Sequence, residues 1–172
     1  MLLNITDIPE EGLTLCYKEE KAELGVIGEG ITIKDDAQVS VRISVIGSTV
    51  YVSGTVSVAI SMQCSRCLKV FPCNISSILN IEYDPISEIE KEGEFELKSD
   101  EMDVGFYKGG ILNLTDLVRE EIILSIPMRP LCIEDCRGIC QLCGKNLNEG
   151  LCECRVEEID PRLSSLKKLL NN

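Results

Sequence analysis

Ten of the 172 residues are cysteine and none is histidine, so metal binding by soft ligands in this chain falls to sulfur. In chain order these are Cys16, Cys64, Cys67, Cys73, Cys132, Cys136, Cys140, Cys143, Cys152 and Cys154, and five lie in CRGICQLCGKNLNEGLCEC, residues 136 to 154. Two thiolates separated by two residues converge on one ion while backbone amides point at the sulfurs, and CQLCG has that form at Cys140 and Cys143. Cys152 and Cys154 can complete a four-sulfur tetrahedron there. Cys64 and Cys67 in CSRC have the same gap, and Cys132 and Cys136 in CIEDC can supply their partners. That pairing gives eight ligands in two sites and leaves Cys16 and Cys73 over. A single zinc ribbon drawing Cys64 and Cys67 together with Cys140 and Cys143 is the rival arrangement.

Zinc, as one ion or two, is the expected metal, because closely spaced four-sulfur sites favour it. An iron–sulfur cluster takes the same four thiolates and is an alternative. A redox dithiol fits less well, since neither CxxC opens a helix after a buried parallel strand. Four thiolates close the coordination sphere of zinc and leave no position for water, which makes such a site structural. The chain lacks histidine and shows no phosphate-binding loop, dinucleotide fingerprint or nucleophile elbow, so no catalytic residue is assigned and the expectation is a protein that is not an enzyme.

The first residues, MLLNITDIPEEG, lack a basic start and an apolar stretch, and nowhere do eighteen apolar residues run together. The expectation is therefore a cytoplasmic protein with no membrane partner, where thiols stay reduced and clustered cysteine holds metal. The formal charge of −12 argues against coating nucleic acid by bulk electrostatics and favours a basic partner. Ten carboxylates between Glu82 and Asp103, against Lys91 and Lys98, carry −8 of it. Such a run reads as a solvated loop, or as a docking arm for a cationic surface.

The elements that must position these cysteines are mainly strands. Val39, Val41, Ile43 and Val45 alternate with polar residues, IGST offers a turn, and VYVSGTVSVAIS resumes the pattern. After Cys67, the odd residues from Phe71 to Tyr83, Cys73 among them, share an apolar face, so Cys73 reads as a small core residue. Further strands are expected at Leu13 to Tyr17 and Val26 to Ile33. NLTDLVREEIILSIP reads as an amphipathic helix over 114–126, capped by Asn113 or Thr115 and stopped by Pro127. Asp160 and Pro161 start a second helix with Leu163, Leu166, Leu169 and Leu170 as its stripe. The fold class is therefore α+β, an antiparallel β meander or partly open barrel followed by an amphipathic helix, a zinc-knuckle segment and a C-terminal helix. Residues 1–130 form the mainly β part, with an acidic loop at 82–103 and the helix at 114–126. Residues 131–172 form the cysteine-rich segment and C-terminal helix, the former too polar to order itself without help.

Three strings, ILNLTDLVREEIILSIPMRPLC, EDCRGICQLCGKNLNEGLCEC and IDPRLSSLKKLL, join VSGTVSVAISMQCSRCLKVF upstream of them. Together they resemble the YceD family, the large ribosomal RNA subunit accumulation proteins, in its cysteine-rich Gram-positive-like form. The resemblance spans the chain from about Thr49 onward. It implies a cytoplasmic factor needed for accumulation or maturation of large-subunit ribosomal RNA, and it carries no catalytic residue across. Family members commonly lie beside the gene for a small basic large-subunit ribosomal protein, which makes such a protein, or a pre-ribosomal particle, the implied partner. The alternative is a zinc knuckle that binds ribosomal RNA directly through Arg137, Lys145 and Asn146. A metal-dependent processing nuclease or redox enzyme is the third reading, and it needs carboxylates converging in a cleft rather than in an exposed run.

Overall fold

In the computed structural model, residues 1–86 and 104–154 are described. In chain order the elements are β1 (Leu2–Asn4), a single 3-10 turn (Ile5–Asp7), β2 (Leu13–Glu19), α1 (Lys21–Leu24) and β3 (Ile31–Ile33). Then follow β4 (Ala37–Ile46), β5 (Thr49–Gln63), β6 (Val70–Pro85), β7 (Val104–Tyr107), β8 (Ile111–Asn113) and α2 (Leu114–Leu124). The main sheet runs β2-β4-β5-β6-β7, while β3 pairs with the end of β5 that β4 does not cover, and β1 and β8 form a separate two-stranded sheet.

The alternation of apolar and polar residues explains why this sheet has one dry face. Val39, Val41 and Ile43 on β4, the even residues from Val56 to Met62 on β5, and Ile75 and Leu79 on β6 are all buried. Against them pack Leu114, Leu117, Val118 and Ile122, which recur at helical spacing on α2. Cys73 is half-buried and packs on this core. Most polar positions face outward; Glu19 and Ser61 are buried, and the Glu19 carboxylate accepts from the Thr115 hydroxyl. On β5, position 54 has to be glycine, because a Cβ there would lie 2.1 Å from the Ser40 carbonyl oxygen of β4.

The sheet is open and mostly antiparallel, so the barrel alternative is set aside. One pairing departs from the expected meander: β7 lies parallel to β6, with Glu82 opposite Val104 and Pro85 opposite Tyr107. A parallel neighbour needs a long return connection, and the chain between the two strands is long enough to provide it. Glu82 and Asp84, counted in the acidic run, belong to β6 itself. Only Ile31–Ile33 of the expected 26–33 strand is a strand, since Gly28 and Gly30 interrupt it, the latter at φ 72°. The helix ends at Leu124 rather than at residue 126, with the Ser125 hydroxyl donating to the Glu121 carbonyl. Its N-cap is Asn113, whose side chain accepts from the amides of Thr115 and Asp116. The acidic run beyond residue 86 and the C-terminal helix at 161–170 lie outside the described residues. Among the described residues no helix is long and apolar enough to cross a membrane.

Two candidate metal centres

The first cysteine pair sits in the turn that joins β5 to β6. Cys64 opens a tight knuckle: its amide donates to the Lys69 carbonyl at 2.9 Å, and its carbonyl accepts from the Leu68 amide at 3.0 Å. The second pair repeats this wiring, with the Cys140 amide bonded to the Lys145 carbonyl and the Gly144 amide to the Cys140 carbonyl, both at 2.9 Å. CSRCLK and CQLCGK are thus the same turn used twice. Each needs a left-handed residue at its fifth position, supplied by Gly144 at φ 71° and by Leu68 at φ 60°, where a side chain is strained.

The β5–β6 knuckle meets the segment that follows α2. The Ser65 amide donates to the Pro130 carbonyl at 2.8 Å and the Arg66 guanidinium to the Cys136 carbonyl at 2.8 Å. These bonds bring Cys132 and Cys136 against Cys64 and Cys67. The sulfurs of Cys64 and Cys136 are 3.7 Å apart, those of Cys67 and Cys132 3.5 Å, and those of Cys132 and Cys136 3.7 Å. The edge of a tetrahedron with zinc–sulfur bonds of about 2.3 Å is about 3.8 Å. The donor set fits a four-thiolate zinc in number, softness and spacing. Cys64, Cys67 and Cys136 are buried, with Phe71, Leu131 and Ile139 packed around them.

Cys140, Cys143, Cys152 and Cys154 form the second group, and in each group the four sulfurs lie within 4.8 Å of one another, positions that can hold a metal ion. Here Cys140 is buried while Cys143 and Cys154 are exposed. The ribbon alternative required Cys64 and Cys67 to share a group with Cys140 and Cys143, and the structure places the two pairs in different groups. Cys16 is exposed, its sulfur 3.4 Å from the Ser40 hydroxyl.

The environment prepares some of these thiols to ionise. Burial raises Cys64, but the amides of Cys67, Cys132 and Arg66 outweigh it and bring it down to about 6. The amides of Cys143 and Leu142, with the Cys152 thiol, bring Cys140 down to about 6 as well. Their neighbours move the other way: burial and the surrounding thiols push Cys132 up to about 12, and the Cys143 thiol beside it, with burial, pushes Cys154 up to about 12. Without a cation, only some members of each group can carry charge together.

One contact was not foreseen from spacing. The Asn148 side-chain amide donates to the Cys136 sulfur at 3.2 Å, while its carbonyl oxygen accepts from the Arg137 amide at 2.8 Å. Asn148 sits between Cys143 and Cys152, so the loop of the second group supports a sulfur of the first. The only sequence signal was the Asn-rich stretch KNLNEG after the knuckle. Of the residues suggested for RNA contact, Arg137 and Lys145 are exposed, but Lys145 donates to the Leu151 carbonyl at 3.0 Å and the Asn146 amide to Glu149 at 3.1 Å.

A family model described as large ribosomal RNA subunit accumulation protein YceD matches residues 52–170. The chain belongs to the YceD family. The matched span holds both knuckles and all eight clustered cysteines. An uncharacterized protein of Mycobacterium leprae is 29% identical over 126 residues, covering 73% of this YceD chain and 54% of the mycobacterial protein. The chain thus spans about half the length of that relative. The uncharacterized protein YlbN of Bacillus subtilis is 26% identical over 172 residues, 98% of this chain and 94% of its own. The chloroplastic YCED homolog 1 of Arabidopsis thaliana, named a large ribosomal RNA subunit accumulation protein, is 33% identical over 58 residues, 34% of this chain and 18% of its own. No solved structure matches.

Proposed function

We propose that this protein is a noncatalytic ribosome-biogenesis factor of the cytoplasm that supports accumulation or maturation of large-subunit ribosomal RNA by binding a basic ribosomal protein or a pre-ribosomal particle. The observation that carries this reading is the family match over residues 52–170. In this reading Cys64, Cys67, Cys132 and Cys136 ligate one structural zinc, and Cys140, Cys143, Cys152 and Cys154 a second. The chain divides near residue 130 into a mainly β part and a metal-held part, which the first centre pins to the β5–β6 turn. Four protein sulfurs per ion leave no open coordination position, which supports a structural rather than a catalytic role.

Electrostatics supports the basic partner. A zinc ion with four thiolates carries a net −2, so two centres take the formal −12 of the chain to about −16. Direct RNA binding by the knuckles is the second reading, favoured by the exposure of Arg137 and Lys145. It is weakened by that charge and by the local bonds that hold Lys145 and Asn146.

The test has two parts. Elemental analysis of purified protein should count two zincs per chain; iron, or no metal in a protein folded over residues 132–154, overturns the metal assignment. Purified basic large-subunit proteins and large-subunit RNA are then titrated against the protein across a salt series. Tight capture of a ribosomal protein, weakened by charge reversal of Glu88, Glu90, Glu92, Glu94 and Glu96, is expected. RNA capture with a steep salt slope favours the second reading instead.

A further inference from the structure

Away from the cysteines, an open groove of about 810 Å³ lies between α2 and the strands β6 and β7. Its floor is apolar, made by Ile81, Tyr83 and Leu117. A large aliphatic side chain stands at its edge, Leu124, which is 79% exposed, far beyond what a core residue tolerates. One wall is acidic: Asp116, Glu120 and Glu121 project from α2 into the lining, and among the described residues Lys108 is the cation that lines it.

These carboxylates act on the groove itself. Tyr83 is pushed up to about 12, by burial first and then by the charges of Glu120, Glu121 and Asp116. Asp116 accepts from the Asn113 side-chain amide and Glu121 from the Ser77 hydroxyl, yet each carboxylate keeps acceptor sites to spare. The Glu120 side chain makes no hydrogen bond or ion pair among the described residues and is exposed. An apolar floor with an aliphatic lip and a three-carboxylate wall is complementary to one kind of ligand: a cationic peptide segment that also carries apolar side chains.

We infer that the α2–β6–β7 groove is the docking site for a lysine- and arginine-rich protein segment bearing apolar anchors. The anchors enter beside Leu124 onto Tyr83 and Leu117, and the cations pair with Glu120 and its neighbours. This assignment rests on the proposed basic partner and gives it a place on the molecule, distinct from the acidic run tested above. A lysine-only chain would use the wall and leave the floor uncovered. A nucleic acid would meet the carboxylates with the wrong sign.

The experiment uses the full, metal-loaded chain and a fluorescent short peptide of lysine and leucine, with a lysine–serine peptide of equal length and charge as its control. The leucine peptide should bind more tightly than the serine peptide. Glu120→Lys and Leu124→Ser should each weaken it by about fivefold or more, whereas Glu10→Lys, the same charge change at an exposed site that does not line the groove, should alter it by less than about twofold. Both groove residues are solvent-exposed, so neither variant endangers folding. Equal weakening by Glu10→Lys, or indifference to Leu124→Ser, overturns the assignment. So does a gain of affinity with Leu166→Asp and Leu169→Asp, which would make the chain's own C-terminal segment the occupant, and so does displacement of the peptide by large-subunit RNA. If neither peptide nor any purified basic ribosomal protein binds at low salt, it is the proposed partner class that fails. If they bind but ignore the groove variants, only the groove assignment fails.

Discussion

Removing one ligand from each proposed centre should have unequal consequences, and the chain topology sets the size of the inequality. Cys64 and Cys136 are 72 residues apart in sequence, so a metal bridge between them closes a long loop that contains β6, β7, β8 and α2. By chain-entropy arithmetic, closing a loop of that length restricts the unfolded chain by about 4.4 kcal/mol, whereas the nine-residue separation of Cys143 and Cys152 is worth about 2.6 kcal/mol. The second figure overstates the effect on global unfolding. The second group is contained within residues 140–154 and can open as a local unit without disturbing β4 to β6. Cys136→Ser should therefore cost the whole fold about 4 kcal/mol, a fall of about 2 M in urea midpoint for a slope of about 2 kcal/mol per M. Cys152→Ser frees the loop that carries Asn148 and should shift the main transition by only about 1 kcal/mol, the worth of one donor lost to Cys136. The assay is urea unfolding followed by far-ultraviolet circular dichroism, with zinc counted per chain in each variant before unfolding. Equal shifts with one zinc lost from each variant would refute the reasoning, because the centres would then be equivalent parts of one cooperative unit. Loss of both zincs from Cys152→Ser would refute it too.

Gly54→Ala would bring a Cβ to 2.1 Å from the Ser40 oxygen and 2.7 Å from the Val41 Cα, both backbone atoms, and should destabilise the protein by about 2 kcal/mol or more in urea unfolding. Leu68→Gly removes a left-handed leucine that is 53% exposed, so little packing is lost and the same assay should show a gain of up to about 1 kcal/mol. Asn148→Ala deletes the amide that donates to Cys136 and should weaken zinc retention about tenfold or more against a competing chelator, with the zinc-loaded fold unchanged by circular dichroism. Tyr17 and Tyr83 are both pushed up to about 12, mainly by burial, so ultraviolet titration should show two tyrosines ionising well above the ordinary value. The unfolded chain gives up these protons near pH 10, so their contribution to stability is intact below pH 10 and is lost as pH rises towards about 12.

Which features the sequence made legible follows from whether their cause is local. The alternation in β4 and β5 was readable because one face is buried along its length, as Val39, Val41 and Ile43 are. Asn113 was readable as a cap because the signal is a single side chain before an apolar stripe, whereas the end of α2 depends on how Ser125 turns back on Glu121. The direction of β7 was not readable: four residues carry no sign of orientation, and the meander rule favours antiparallel neighbours. The same division runs through the cysteines. Spacing marked CSRC and CQLCG as knuckles, but it could not decide which distant sulfurs join Cys64 and Cys67. That depends on Pro130 and Cys136 meeting Ser65 and Arg66 across the fold. Asn148 has no spacing signature, and the α2–β6–β7 groove is assembled from segments that only the tertiary structure brings together.

The two cysteine groups are best understood as answers to different problems. Residues 131–154 contain few apolar side chains, and several of those, such as Ile133, Leu142 and Leu151, are exposed, so this segment cannot be held by burial. The first group solves attachment. It uses a turn whose geometry is already fixed by the fourteen-residue register between β5 and β6, so two of its four sulfurs are in place before the segment arrives. The second group solves shape, since CQLCGK reproduces the same knuckle without a hairpin to hold it and must close on Cys152 and Cys154 instead. Asn148 joins the two solutions. When the second loop is ordered, its amide stabilises the Cys136 thiolate, and when the loop opens, a buried sulfur loses its donor. Order in the exposed loop therefore strengthens the buried attachment, so the metal-held segment can present a fixed surface even though so little of it is core.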